Sequence, residues 1–297
     1  MASFFKKLLG TSSKTFQFGK NGPITERAGT ELLKLWNSTG IDDELSRAQF
    51  KYPEADEDAV NKQYTDELPK GEIFGLELVW NSVSQVKIQP GQCANTQSSR
   101  SLTNLTAEKT VDITTGPGSP NGLDTGTESA NAIYYVWLIE KLGIGASVDG
   151  LLSLSATTPT MPTGYTLKRR IGAVINLSSD FLNFKQFGNH RTRKYLYLEN
   201  IETTLNILSN GGAGSWTDID LSSFIPSTSE LAILECYSTQ KVAQIRTNGI
   251  NVPMRNIGIK QYSDFEIPTD ISQLIEYKLS VPSSGFYLSV AGYMEEL

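Results

Sequence analysis

The residue types that could perform chemistry are few in this chain, and their spacing suits little of it. His190 is the only histidine among 297 residues. A Ser-His-Asp triad would have to use it, and a multi-histidine metal site is impossible. Its neighbours Arg191 and Arg193 disfavour an imidazolium and supply no carboxylate to orient the ring as a base. Cys93 and Cys236 are the only cysteines, far apart and without the close pairs of a zinc ribbon, so they read as small buried residues. Asp218 and Asp220 fall on one side of a strand pattern and could form the carboxylate pair of a glycosidase. The same alternation turns Ile219 and Leu221 inward and leaves both aspartates in water. Gly116 to Gly122 is glycine-rich, but neither Lys-Ser nor Lys-Thr nor a helical pattern follows it, so a phosphate cradle is not expected. Catalysis, a cofactor and a metal site are accordingly not expected.

Two cationic runs, Lys168-Arg169-Arg170 and Arg191 to Lys194, could hold an anionic glycan or an acidic patch on another protein. Strand alternation favours a plainer reading, with Leu167 and Ile171 entering the core and the bases facing solvent or a neighbouring subunit. Exposed aromatics stack on sugars, but Tyr134, Tyr135 and Trp137 sit in an unbroken apolar run from Ile133 to Leu138, which reads as a central strand. The formal net charge of -6, from 26 basic and 32 acidic residues, does not suit a polyanionic partner. No nucleic-acid partner is expected. No segment approaches the roughly 18 apolar residues that span a bilayer, so no membrane insertion is expected either. The start MASFFKKLLG places its basic pair after the first apolar residues, the reverse of a secretory leader, and the product is expected to stay in the cytoplasm of the cell that makes it.

The elements that must position these residues change character near residue 70. From Glu72 onward short apolar or alternating runs recur between Gly, Pro, Asn and Ser: Ile73 to Trp80, Val83 to Ile88, Thr110 to Ile113, Ala132 to Ile139, Gly150 to Leu154, Leu167 to Asn176 and Phe181 to Phe187. A second series runs from Lys194 to Tyr293. This rhythm predicts a mainly β fold of antiparallel β-sandwich modules, 71–190 and 191–297, with a soft boundary at residues 188–194. The clearest strand places Ile275, Tyr277, Leu279 and Val281 on one face and Glu276, Lys278 and Ser280 in water. The Gly- and Pro-rich stretches near Gly116 and Gly212 are exposed loops.

Residues 1–70 read as a separate attachment and linker region with short helices. Phe4, Phe5, Leu8 and Leu9, with Lys6 and Lys7, would form an amphipathic turn that must be covered by the subunit or by another protein, and they are the candidate interaction residues. Ile24 to Trp36 fits either a helical stripe or a two-residue alternation. Ala59 to Asp66 is expected as a helix, capped by Asp58 and stopped by Pro69.

Gly122 to Gly188 orders an Asp-Thr-Gly turn, an aromatic strand, a Ser-Thr-Pro connector, Gly164-Tyr165 and the basic-then-apolar run Lys168 to Ile175. This order resembles a domain of bacteriophage tail and tail-fibre proteins, and Ala59 to Asp66 resembles a linker signature of phage fibres. The closing segments Gln273 to Tyr277 and Val290 to Tyr293 match the same habit. The resemblance implies a jelly-roll-like, non-enzymatic virion protein. Expected is a homotrimeric tail fibre that docks on tail or baseplate proteins through its first region and presents β modules to a glycan or protein receptor on the host. It further implies a virion location after assembly in the host cytoplasm. A head fibre, decoration or collar protein is the alternative, followed by a polysaccharide-cleaving tailspike.

Overall fold

The computed structural model describes residues 72–95, 102–142, 146–200 and 202–297, together with the backbone of three strands between residues 15 and 36. The chain divides into two compact units, Met1–Pro69 and Lys70–Leu297. In the first unit Thr15–Gln17, Ile24–Ala28 and Leu32–Trp36 form a three-stranded antiparallel sheet in that order. Ile24 lies opposite Trp36 and Ala28 opposite Leu32. The segment from Ile24 to Trp36 is therefore a strand pair and not a helix. Gly29 at its middle would have cost a helix about 1 kcal/mol. Phe4, Phe5, Leu8, Leu9 and the Ala59 to Asp66 segment lie outside the described residues.

The second unit is mainly β, its sheets are antiparallel, and no helix occurs among the described residues. None is therefore long and apolar enough to cross a membrane. The largest sheet has nine strands. Its path runs Gln261–Pro268, Ser229–Ser238, Phe286–Glu296, Thr192–Tyr197, Phe184–Phe187, Leu78–Ser82, Gln85–Ile88 and Lys109–Asp112, and Asn206–Gly211 also pairs with Phe286–Glu296. This sheet crosses residues 188–194, where Phe187 pairs with Lys194 and Phe184 with Tyr197. Two four-stranded sheets accompany it. One orders Val148–Ser153, Ala132–Lys141, Tyr165–Leu177 and Asp180–Phe181; the other orders Thr217–Asp220, Leu274–Leu279, Ala243–Thr247 and Arg255–Ile257. A small sheet joins Ile73–Gly75, Gly91–Ala94 and Leu102–Leu105.

One hydrophobic cluster extends from Ile73 to Leu297 and takes side chains from all of these sheets. Gly150 marks how closely the layers approach: a Cβ there would lie 2.3 Å from Val111 Cγ2 and 2.8 Å from Ile88 Cδ1. A second cluster, Tyr135, Trp137, Ile139, Leu151, Tyr165 and Ala173, covers the other face of the Ala132–Lys141 sheet, with Ala156 and Met161 of the connector packed on it. The central strand is thus buried on both faces, which is why its apolar run is unbroken.

Two strands depart from the expected pattern. Ile73 to Trp80 is not one strand, because Gly75 and Leu76 both take left-handed φ values of 70° and 54°. The chain turns there and its two halves enter different sheets. In Leu274–Leu279 the apolar set Ile275, Tyr277 and Leu279 is buried, as alternation requires. Glu276, expected in water, is only 8% exposed. Arg246 covers it with paired hydrogen bonds of 2.8 and 3.0 Å, and the same guanidinium lies 4.1 Å over the Trp216 ring. Val281 falls beyond the strand and is half exposed.

Candidate binding face

The Asp-Thr-Gly turn is a structural fastening. Asp124 Oδ2 accepts hydrogen bonds from Ser153 Oγ at 2.7 Å and from the Thr160 amide at 3.0 Å, and its Oδ1 accepts from the Thr125 amide. One carboxylate thereby holds its own turn, a strand end and the Ser-Thr-Pro connector. Ser155 Oγ accepts from the Thr158 amide within that connector, and Trp137 Nε1 donates to the Ser155 carbonyl. Asp149 accepts from Tyr165, Lys109 and Asn121. Burial works against its charge, yet these three donors hold the carboxyl below its usual range.

The basic runs are also largely structural. A register irregularity opposite Val136 and Trp137 places Lys168 and Arg170 opposite Ile139 and Trp137. Lys168 lies 5.7 Å over the Trp137 ring. Arg170 is not directed to solvent: Nη1 meets Glu295 Oε2 at 2.6 Å, and Thr228 Oγ1 donates to the same oxygen at 2.9 Å. Arg193 is fully buried. Its guanidinium donates to the carbonyls of Gly75, Leu76, Ile171 and His190, at 2.7, 2.6, 3.2 and 3.1 Å. It satisfies the carbonyls that the left-handed Gly75-Leu76 turn withdraws from strand pairing.

The other candidates stay apart from one another. His190 is exposed, with its ring edge-on to Phe74 and Nδ1 4.0 Å from Glu72. Asp218 and Asp220 are exposed while Ile219 and Leu221 are buried, and Asp218 lies opposite Glu276 in the sheet. Cys93 and Cys236 are free and buried, and burial pushes each thiol up to about 12. Gly116 and Gly118 stand in open space. Among the described residues no group of three or more His, Cys, Asp or Glu could hold a metal ion.

A concave feature of the unit lies elsewhere, on the nine-stranded sheet. Tyr237 pairs with Tyr262 on one side and with Tyr287 on the other, so three adjacent strands set tyrosines in one row. Two residues along each strand, Glu235 pairs with Asp264 and Ser289, and Asn206 pairs with Ser289. Period-two geometry puts both rows on the same face. All of these but Asp264, together with Glu202, Ser209, Cys236 and Thr239, line a cleft of about 440 Å³. Such a volume lies within the roughly 300–1,000 Å³ of small-molecule sites. The Tyr237 and Tyr262 rings stack at 4.3 Å, and Tyr262 remains 66% exposed. Ser209 Oγ donates to Asn206 Oδ1 at 2.7 Å at the rim. Burial, then the charges of Asp264 and Glu202, raise the Glu235 carboxyl above its ordinary value.

Sequence reasoning missed this face. Its local trace is an i, i+2 pair on each of three strands: Glu235 with Tyr237, Tyr262 with Asp264, Tyr287 with Ser289. No protein-family model matches the chain, and no curated protein matches it.

Proposed function

We propose that this chain is a structural protein of a bacteriophage virion, a trimeric tail fibre whose β unit binds a saccharide of the host surface. In this reading the first 70 residues dock on the tail or baseplate, and the sheets of the second unit form sandwich-like, jelly-roll-like layers. The layers are a rigid support on which the cleft is displayed, and the reading assigns them no catalysis. The resemblance of Gly122 to Gly188 and of Ala59 to Asp66 to phage fibre segments supports the virion assignment.

The observation that carries the binding role is the row Tyr262, Tyr237, Tyr287 beside the row Asp264, Glu235, Ser289, Asn206 on one face. Saccharides present apolar C–H faces and rings of hydroxyls. Aromatic side chains meet the first, and planar acceptors and hydroxyls meet the second. Weak single-site binding suffices on a fibre, because linked copies that engage together raise the effective affinity by about 10²–10⁴.

The test is adsorption. Purified protein is expected to bind cells of the strain on which the phage grows, and in excess to slow infection. Antibody labelling is expected to place it on the tail. Absence of adsorption with unchanged infection would assign the chain to a head fibre, decoration or collar instead. Accumulating reducing ends on host polysaccharide, lost in Asp218→Asn or Asp220→Asn, would make it a depolymerase.

A further inference from the structure

The cleft holds an imbalance of charge. Several carboxylates of the unit have cations at hand: Glu276 has Arg246, Glu295 has Arg170, Glu266 has Lys194, Glu296 has Arg191 and Asp149 has Lys109. Among the described residues Glu202, Glu235 and Asp264 take part in no ion pair. Among the described residues no lysine or arginine lines the cleft. Two like charges, Glu202 and Glu235, therefore line a concavity whose other walls are tyrosine, serine, threonine, asparagine and cysteine, and Asp264 adds a third beside Glu235 on the neighbouring strand.

We propose that the cleft selects a saccharide bearing a free, protonated amine, such as a de-N-acetylated hexosamine, over neutral and anionic saccharides. The inference rests on the saccharide-binding reading and adds its charge. An ammonium between Glu235 and Glu202 relieves their mutual repulsion and forms charge-assisted hydrogen bonds. The same ammonium is attracted to the electron-rich faces of the tyrosines, as cations are in aromatic-lined sites. An acetylated amine keeps the ring and its stacking but loses both attractions. A uronate, sulfate or phosphate meets the carboxylates of Glu202 and Glu235 and is repelled. The tyrosines supply the platform and the carboxylates the discrimination, so the two contributions separate by mutation.

Titration calorimetry of the full chain with a glucosamine tetramer, its fully N-acetylated counterpart and a tetragalacturonate tests this. The amine form is expected to bind at least about tenfold more tightly than the acetylated form, and the galacturonate not at all. Glu235→Gln is expected to remove most of that tenfold preference, weakening the amine form far more than the acetylated form; Tyr262→Ala is expected to weaken both forms alike. Glu235 is a partly exposed strand residue, and unfolding curves of each variant verify that the fold persists. Equal binding of the amine and acetylated forms would overturn the charge selection and leave saccharide binding standing. Preference for the galacturonate, or no binding of any of the three, would overturn the inference, and a broad saccharide screen then decides the parent reading separately.

Discussion

Arg193 lies in a stretch, Arg191 to Lys194, that looks like an exposed cationic patch, yet its side chain is fully buried. Strand pairing explains the difference: the Gly75-Leu76 turn leaves carbonyls inside the unit that only a long, multiply donating side chain can reach. Arg193→Met is expected to destabilise the unit by roughly 3–5 kcal/mol, read from the urea midpoint, because buried acceptors are left unpaired. Arg193→Lys is not expected to restore stability, since an ammonium places its donors at one point. A loss under about 1 kcal/mol would contradict this role. Glu295 behaves differently. It is fully buried, and burial raises its carboxyl above the ordinary value despite Arg170 and Thr228. The folded state therefore binds this proton more readily than the unfolded state. Its contribution is fully present below the unfolded value of about 4.3 and is lost as pH rises through the folded value. Glu295→Gln is expected to flatten that part of the stability profile, measured by denaturant unfolding across pH; an unchanged slope would contradict it.

At the scale of elements, strand rhythm was legible wherever burial is decided within one strand. Ala132–Lys141 reads as a central strand because both of its faces are covered, and Ile275, Tyr277 and Leu279 reveal their inner face by alternation. Glu276 was not legible, since its partner Arg246 comes from a neighbouring strand. The tyrosine face was hidden for the same reason: Tyr237, Tyr262 and Tyr287 meet only through a register that no local pattern encodes. Gly122 to Gly188 was legible as a scaffold, but the fastening of its connector by Asp124 was not. Close layer contact carries its own prediction. Gly150→Ala is expected to cost about 1–3 kcal/mol through overpacking against Val111 and Ile88, visible as a lower melting temperature; an unchanged one would mean the layers yield.

At the scale of the molecule, the second unit combines a continuous nine-stranded sheet with a hydrophobic cluster that reaches from Ile73 to Leu297. The proposed fibre needs an axis shared by several copies. The mass in solution is expected to be three times that of the 32.6 kDa chain, and a stable monomer at micromolar concentration would count against the trimer. The binding face is the central claim, and Tyr262 tests it cleanly because it is mostly exposed, so Tyr262→Ala is expected to change stability by less than about 1 kcal/mol. The most direct measurement is a saccharide array probed in parallel with the wild-type chain and Tyr262→Ala. The account predicts a set of saccharides retained by the wild type and lost by the variant, whereas retention identical in both, or none by the wild type, would contradict it.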